Sequence, residues 1–183
     1  MTIGKSLIAA CFAAGLVAIG TTAALAADAS ADDRAAIENL MSRYMYALDT
    51  TNPEAYAAVF TEDAELTAGG STEHGHAEIM KMVQGLKDRL NKDAKPDASG
   101  RAFAPFRHIY FDLVLDVDGN KAKGEAYWQT VMRQPDGQTP KIAAMGRYED
   151  EFVKQNGKWL ISKRAIINDM ATPRPASADA KKE

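Results

Sequence analysis

The fold is decided by a stretch that covers residues 107–128, RHIYFDLVLDVDGNKAKGEAYW. Apolar and polar residues alternate along it, on both sides of an Asp-Gly pair at 118–119. Alternation with a period of two is typical of a strand with one buried face, and Asp-Gly is a strong hairpin-turn signal. The stretch therefore predicts a long β-hairpin, with strands over residues 106–117 and 121–133.

A second hairpin is predicted directly after the first. A Pro-Asp-Gly turn at 135–137 leads to two further strand-like segments, residues 142–154 and 159–168. They flank the Asn-Gly pair at 156–157, which is another favoured two-residue turn. Four strands joined by short turns predict an antiparallel meander.

The region before these hairpins has a helical period. Apolar residues recur at three- and four-residue steps over residues 37–48, which places them on one face of a helix. A second, short helix follows a capping box formed by Thr51 and Glu54, and then come a strand over 65–68 and a third helix over 76–90. This order predicts an α+β fold, in which a long curved antiparallel sheet wraps over the N-terminal helices and leaves a pocket between the two.

The N-terminal segment, residues 1–26, is predicted to be a signal peptide. It combines a basic start at Lys5, an apolar run and an Ala-Leu-Ala pattern at 24–26, behind which signal peptidases cut. A transmembrane anchor is the alternative, because the apolar run is about long enough to span a bilayer. The alanine-rich run and the polar sequence after it favour cleavage. We therefore expect a periplasmic or secreted protein with no stable membrane anchor after cleavage.

The C-terminal segment, residues 171–183, is predicted to be a disordered tail. It has two prolines and no large apolar side chain, so it cannot bury enough surface to offset its conformational entropy. With both ends excluded, a single domain is expected over residues 32–170.

Composition excludes several classes of function. The chain has 22 basic and 25 acidic residues and a net charge of −3, which argues against nucleic acid as a partner. Its single cysteine, Cys11, lies in the predicted signal peptide, so no thiol chemistry or disulfide is expected after cleavage. His74 and His76 have no third ligand nearby in the sequence, so no metal site is predicted.

Three separated blocks resemble the SnoaL-like branch of the nuclear-transport-factor-2-like superfamily. Residues 107–128 resemble its central hairpin. Its opening is matched by residues 35–66, AAIENLMSRYMYALDTTNPEAYAAVFTEDAEL, and its closing hairpin by residues 146–166, GRYEDEFVKQNGKWLISKRAI. The resemblance implies a cone-shaped sheet and self-association as a dimer or trimer. Members include dehydratases, isomerases, polyketide cyclases, dehydrochlorinases and proteins that only bind.

The resemblance also implies a catalytic pair that works without a cofactor. In dehydratase-like and dehydrochlorinase-like relatives, an Asp–His pair occupies the positions that match Asp49 and His108, with the histidine as general base. A carboxylate that accepts one imidazole N–H fixes the tautomer and makes the other nitrogen more basic. Tyr44 matches a position where some family dehydratases keep a tyrosine that hydrogen-bonds an oxygen.

Each of these residues also has a plainer explanation. Asp49 could help to end a helix, His108 could be a core or rim histidine, and Tyr44 lies on the apolar stripe of the first helix. The apolar alternation from Ile109 to Val117 places His108 on the opposite face of its strand. His108 therefore faces the pocket only if a bulge intervenes or if the apolar row is the outer, oligomer-facing side.

Two function hypotheses follow from these residues. The first is a lyase, such as a dehydratase, or an isomerase that acts on a small apolar, cyclic substrate through Asp49 and His108, with Tyr44 as a hydrogen-bond donor. Trp128 and Tyr148 are predicted to contact the substrate, although alternation alone leaves open which face of the sheet they occupy. The alternative is a secreted, non-catalytic protein that binds a small ligand in the same pocket.

Overall fold

The computed structural model describes residues 22–134 and 139–171, which form three helices and six strands. The helices are α1 (Thr22–Asp49), α2 (Pro53–Ala57) and α3 (Gly75–Leu90). The strands are β1 (Phe60–Ala68), β2 (Ser71–His74), β3 (Phe106–Asp118), β4 (Lys121–Arg133), β5 (Pro140–Gln155) and β6 (Lys158–Asn168).

All six strands belong to one open sheet, in the order β2-β1-β6-β5-β4-β3. The predicted α+β fold and its four-strand meander from β3 to β6 are confirmed. Neighbouring strands are antiparallel except β1 and β6, which run parallel, so the sheet is mixed. The parallel pair joins segments about a hundred residues apart, and a pairing at that distance leaves no local sequence signal.

Strand β2 was not predicted from the sequence. Its four residues contain no apolar side chain and follow Gly69 and Gly70, whose φ angles are 60° and 89°. Glycine adopts this left-handed region without steric cost, so the pair turns the chain back and β2 adds to the edge of β1. A short polar edge strand shows no alternation of hydrophobicity, which is why the sequence gives no indication of it.

The hairpin turns lie close to where the sequence predicts them. Between β5 and β6, Asn156 and Gly157 have φ angles of 51° and 76°, the left-handed geometry that favours Asn-Gly in two-residue hairpins. Between β3 and β4, the loop consists of Gly119 and Asn120, one residue later than expected.

The core lies between α1 and the inner face of the sheet. The predicted apolar stripe of α1 is buried there: Ile37, Leu40, Met41, Tyr44 and Leu48. From the sheet, alternate residues of β4 and β5, including Trp128, Tyr148 and Phe152, belong to the same cluster. The period-two pattern of the strands and the helical period of α1 thus meet in one apolar layer.

Most of both predicted terminal segments lies outside the described residues. These are residues 1–21 of the predicted signal peptide and residues 172–183 of the predicted tail. The predicted turn at 135–137 also lies outside the described residues. Within the described residues, helix α1 covers Thr22–Asp49, so the predicted cleavage point after Ala26 falls inside it. In the part of the chain that is described, no helix is both long and apolar enough to cross a membrane.

Candidate active site

A β-bulge decides which way His108 points. The pairing of β3 with β4 shifts register between Phe111 and Val114, and Asp112, inside the shift, has a φ of 55°. Before the bulge, Ile109 and Phe111 are exposed on the outer face. His108 therefore faces inward, and the first of the two arrangements left open by the sequence is the observed one.

Beyond the bulge, the apolar row of β3 changes sides. Leu113, Leu115 and Val117 pack against the core. The apolar alternation seen in the sequence is therefore made of two halves that face opposite sides of the sheet. One extra residue is enough for this, because side chains alternate faces at every position.

Asp49 and His108 are in direct contact. Oδ1 of Asp49 lies 2.8 Å from Nδ1 of His108, and the carboxylate also accepts the backbone N–H of His108, at 3.0 Å to Oδ1 and 3.3 Å to Oδ2. A carboxylate only accepts, so Nδ1 is the nitrogen that carries a proton, and in the neutral imidazole Nε2 is then the nitrogen with the lone pair. The Asp49 and His108 side chains are 7% and 15% exposed. The arrangement suits a general base oriented by a buried acid.

The end of α1 is held in place by the loop before β3. The backbone N–H of Ala104 donates to the carbonyl of Asp49 at 2.9 Å. Deeper in the loop, the Asn91 side-chain amide donates to the Thr51 hydroxyl at 2.7 Å and to the Ala102 carbonyl at 3.2 Å. These bonds fix the helix end that carries Asp49, and the loop itself gave no signal in the sequence beyond its polarity.

Three successive pairs of inward residues define the layers around His108. In order from the start of β3, these pairs are Phe106 with Met132, His108 with Thr130, and Tyr110 with Trp128. The Phe106 ring packs edge-on against the His108 ring, with centroids 5.1 Å apart. Phe106 and Met132 also line a cavity of about 410 Å³ with mostly apolar walls. The residue whose ring contacts His108 is therefore also one of the residues that line this cavity.

Tyr44 lies in a buried cluster of aromatic rings. Its hydroxyl accepts a hydrogen bond from the Tyr56 hydroxyl at 2.8 Å, and its ring packs against those of Tyr56 and Tyr148. Burial, together with the neighbouring Tyr44, raises the pKa of Tyr56 well above its usual value, and burial does the same for the pKa of Tyr148. Tyr44 thus packs in the core and also belongs to a polar network, so a catalytic role for its hydroxyl stays a prediction.

An ion pair that the sequence did not reveal lies beside this cluster. Arg164 is fully buried and donates from Nε and Nη2 to the two oxygens of Asp150, each at 2.7 Å. Its guanidinium lies over the rings of Tyr44, at 4.0 Å, and Tyr148, at 4.3 Å. Burial alone would lower the pKa of Arg164, but the Asp150 carboxylate more than offsets this and raises it.

Asp150 is buried, although it belongs to a run of three acidic residues, 149–151, that is typical of a solvated strand edge. Asp150 shares its face of β5 with Tyr148 and Phe152, because all three are two residues apart, and this face is buried. That spacing was the available signal. The residue type indicated the opposite, because carboxylates generally lie in solvent. Buried carboxylates occur almost only with a partner, which here is Arg164.

Trp128 and Tyr148 both lie on the inner face, which alternation alone could not decide. Their rings stack with centroids 5.9 Å apart, and Trp128 is 5% exposed. Its indole Nε1–H is buried and finds no acceptor among the described residues. Whether either ring contacts a substrate stays a prediction.

The two other histidines are held separately. His76 Nε2 lies 3.0 Å from the carbonyl of Phe60, and His74 is exposed, 3.9 Å from Glu65. Within residues 22–134 and 139–171, no group of three or more His, Cys, Asp or Glu side chains is arranged to hold a metal ion.

Comparison with known proteins identifies the family. Residues 29–165 match the model of the SnoaL-like domain, so the chain belongs to this family. The predicted resemblance to the SnoaL-like and nuclear-transport-factor-2-like proteins is thereby confirmed. No curated protein matches the chain.

Solved structures share the fold. A protein of unknown function from Mycobacterium tuberculosis is 27% identical with a TM-score of 0.66, over 84% of this chain and 78% of that one. A candidate scytalone dehydratase from Novosphingobium aromaticivorans is 25% identical with a TM-score of 0.63, over 86% and 99%. A hexachlorocyclohexane dehydrochlorinase is 20% identical with a TM-score of 0.60, over 76% and 87%, a likeness of fold alone.

Proposed function

We propose that this SnoaL-like protein is a cofactor-independent lyase, such as a dehydratase, or an isomerase for a small apolar, cyclic substrate. The observation that carries the proposal is the 2.8 Å contact between Asp49 Oδ1 and His108 Nδ1, which leaves the Nε2 lone pair of His108 to take a proton. The similarity to a candidate scytalone dehydratase supports the same class of reaction.

In this mechanism His108 is the general base. Its Nε2 takes a proton from a carbon, and the electron pair of the broken C–H bond forms a double bond as a neighbouring group leaves, or as a carbonyl becomes an enolate. The negative Asp49 carboxylate stabilises the imidazolium that forms. In an isomerisation, the same nitrogen returns the proton to another carbon. In a dehydration, the leaving hydroxyl takes this proton from Nε2 of the His108 imidazolium and departs as water, which returns His108 to its neutral form.

Substrate access is proposed from the cavity beside Phe106. Its volume of about 410 Å³ is in the range of small-molecule pockets, and its walls are mainly apolar. Rotation of the Phe106 ring would connect this space with His108, because the two rings are in contact.

Tyr44 is proposed to donate its hydroxyl proton to a substrate oxygen. Its oxygen already accepts from Tyr56, so the interaction that remains to be offered is donation. Tyr44→Phe should lower turnover by more than Tyr56→Phe, which removes only the bond between the two hydroxyls. Equal effects of the two substitutions would contradict this role.

Proton abstraction can be tested before the natural substrate is known. With 1-tetralone as the probe in D₂O, NMR should show deuterium entering the carbon next to the carbonyl faster with the wild-type protein than with buffer. His108→Gln should bring the rate down to that of buffer, whereas the control His74→Gln, at an exposed histidine, should leave it unchanged. An unaffected rate in a folded His108→Gln variant would end the proposal.

The second candidate is a non-catalytic binding protein with the same pocket. It is favoured by the burial of Trp128 and Tyr148 on the inner face, which suits binding as well as chemistry. In this case, affinity for a small ligand should survive loss of Asp49 and His108 while depending on Trp128. Deuterium exchange at the buffer rate, together with retained binding, would favour this function over the first.

The outer face of the sheet is proposed to join copies of this chain as a dimer or trimer. Several large apolar side chains are exposed there: Ile109, Phe111, Tyr127, Ile142 and Met145. Patches of this kind on soluble proteins commonly mark interfaces. Size-exclusion chromatography with light scattering should show an oligomer that Phe111→Glu converts to a monomer; a wild-type monomer at micromolar concentration would contradict it.

Export to the periplasm or beyond the cell is proposed from the N-terminal sequence. Cleavage after Ala26 would leave Ala27 as the first residue of the mature protein. N-terminal sequencing of the protein from the native host's periplasmic and extracellular fractions tests this. An uncleaved chain in the cytoplasm would overturn it.

A further inference from the structure

We infer that Trp128 binds an oxygen of the substrate through its indole N–H, so that the substrate is an oxygen-bearing ring compound such as a cyclic ketone or alcohol rather than a plain or halogenated hydrocarbon. The inference rests on the proposed function, since it takes the inner face beside Asp49 and His108 as the substrate site. It goes further in naming the chemical group that the site recognises.

The first observation is the unused donor. The indole Nε1–H of Trp128 is buried and has no acceptor among the described residues, in a side chain that is 5% exposed. A buried polar group without a partner is unfavourable and therefore uncommon, so each one requires an explanation, of which a bound acceptor is one. An acceptor oxygen on a ligand would remove this cost.

The other tryptophan shows the usual arrangement. The indole N–H of Trp159 donates to Oδ1 of Asp33 at 2.8 Å. Among the described residues, one indole N–H therefore has an acceptor and the other has none, and the one without an acceptor is on the face that carries His108.

The second observation is the position of Trp128 relative to His108. His108 pairs with Thr130, and Trp128 lies two residues further along β4 on the same inward face. Two residues of a strand span about 7 Å, and residues in this diagonal relation are near enough to contact one small molecule. A bicyclic compound of that length can place a carbonyl oxygen at Trp128 and a C–H bond at His108.

The direction of entry agrees with this arrangement. From the apolar cavity inward, the layers are Phe106, then His108, then Trp128. A compound that enters past Phe106 reaches the base before the indole, so its polar end leads into the site. The hydrogen bond would then fix which carbon faces Nε2 of His108.

Nuclear magnetic resonance of the indole N–H groups tests the inference directly on the full wild-type chain. The two tryptophans give two indole signals, which Trp159→Phe assigns. Addition of 1-tetralone should shift the Trp128 proton downfield and leave Trp159 unmoved, whereas tetralin, which has the same rings without the oxygen, should not produce that shift. Equal shifts with both compounds, or none with either, would overturn the inference.

Affinity provides the second measurement. Trp128→Phe keeps an aromatic ring and removes the donor, so it should weaken 1-tetralone binding about 3- to 10-fold more than it weakens tetralin binding, as one hydrogen bond predicts. An equal loss for both compounds would indicate packing alone and would contradict the inference.

These results are separable from the test of catalysis. The indole shift requires binding and not turnover, so it should also be seen in His108→Gln. A Trp128 shift without deuterium exchange would retain the inference about the ligand and reject the proposed reaction. Deuterium exchange without the Trp128 shift would support the proposed reaction and reject the inference about the ligand.

Discussion

Asp49 and His108 are 59 positions apart in the chain, and the carboxylate of Asp49 holds His108 at two points, the ring Nδ1 and the backbone N–H. Asp49 ends α1, and His108 is the third residue of β3. The backbone bond fixes where the strand begins relative to the helix, and the ring bond fixes the orientation of the imidazole. One buried carboxylate therefore contributes to both the fold and the candidate chemistry.

Substitution of Asp49 should affect both stability and the candidate chemistry, because both depend on the same carboxylate oxygens. Asparagine offers only one acceptor oxygen, and its NH₂ group would face groups that donate. We expect Asp49→Asn to lower the free energy of unfolding by about 1–3 kcal/mol, measured by urea denaturation, and to lower deuterium exchange from 1-tetralone.

The control for this substitution is Asp63→Asn, at an exposed aspartate of β1. It makes the same chemical change without a buried contact, so both measured quantities should stay at their wild-type values. Wild-type stability in Asp49→Asn would show that the hydrogen bonds to His108 contribute nothing measurable.

The bulge at Asp112 should be sensitive to side-chain shape. Its φ of 55° lies in the left-handed region, which aspartate tolerates better than a β-branched residue does. We expect Asp112→Val to destabilise the protein by about 1–2 kcal/mol. Urea unfolding measures this, with Asp112→Gly as the control that should retain or raise stability. Equal stability of the two variants would mean that the bulge imposes no backbone constraint.

The bulge also shows where sequence reasoning stops. Both hairpins could be predicted because alternation and Asn-Gly or Asp-Gly turns are local signals. The alternation from Ile109 to Val117 concealed the bulge, because an inserted residue joins two rows that face opposite sides without interrupting the run of apolar residues. Long-range pairings, such as that of β1 with β6, were equally beyond local patterns.

The candidate site was predictable only in part. Asp49 and His108 were found through their resemblance to a family, since nothing in the isolated residues brings them together. Arg164 and Asp150 were missed because charged residues are expected at the surface, although the spacing of Asp150 from Tyr148 and Phe152 placed it on a buried face. The indole N–H of Trp128 has no acceptor among the described residues because of three-dimensional packing, which composition and periodicity do not encode.

Loss of one member of the Arg164–Asp150 pair should lower the free energy of unfolding strongly. Arg164→Met leaves the buried Asp150 carboxylate without its partner, so we expect a loss of about 3–5 kcal/mol in the free energy of unfolding. The double variant Arg164→Met with Asp150→Leu removes both charges and should recover much of that loss. Urea denaturation of Arg164→Met, Asp150→Leu and the double variant gives the coupling energy. Additive effects of the two single substitutions would show that the pair is not coupled.

The stability contributed by Asp33 should depend on pH. Its carboxylate accepts hydrogen bonds from Lys154, at 2.7 Å, and from Trp159, and these bonds lower the pKa of Asp33. A lowered folded-state pKa stabilises the protein above the unfolded value, about 3.9, and this contribution is lost as the pH falls through the folded value. Asp33→Asn should therefore be less stable by about 1 kcal/mol at pH 7, and the difference should shrink below pH 4, in urea unfolding compared across this range. The exposed neighbour provides the control, since Asp32→Asn should show no such dependence. A difference for Asp33→Asn that stays constant from pH 7 to pH 3 would contradict the assignment.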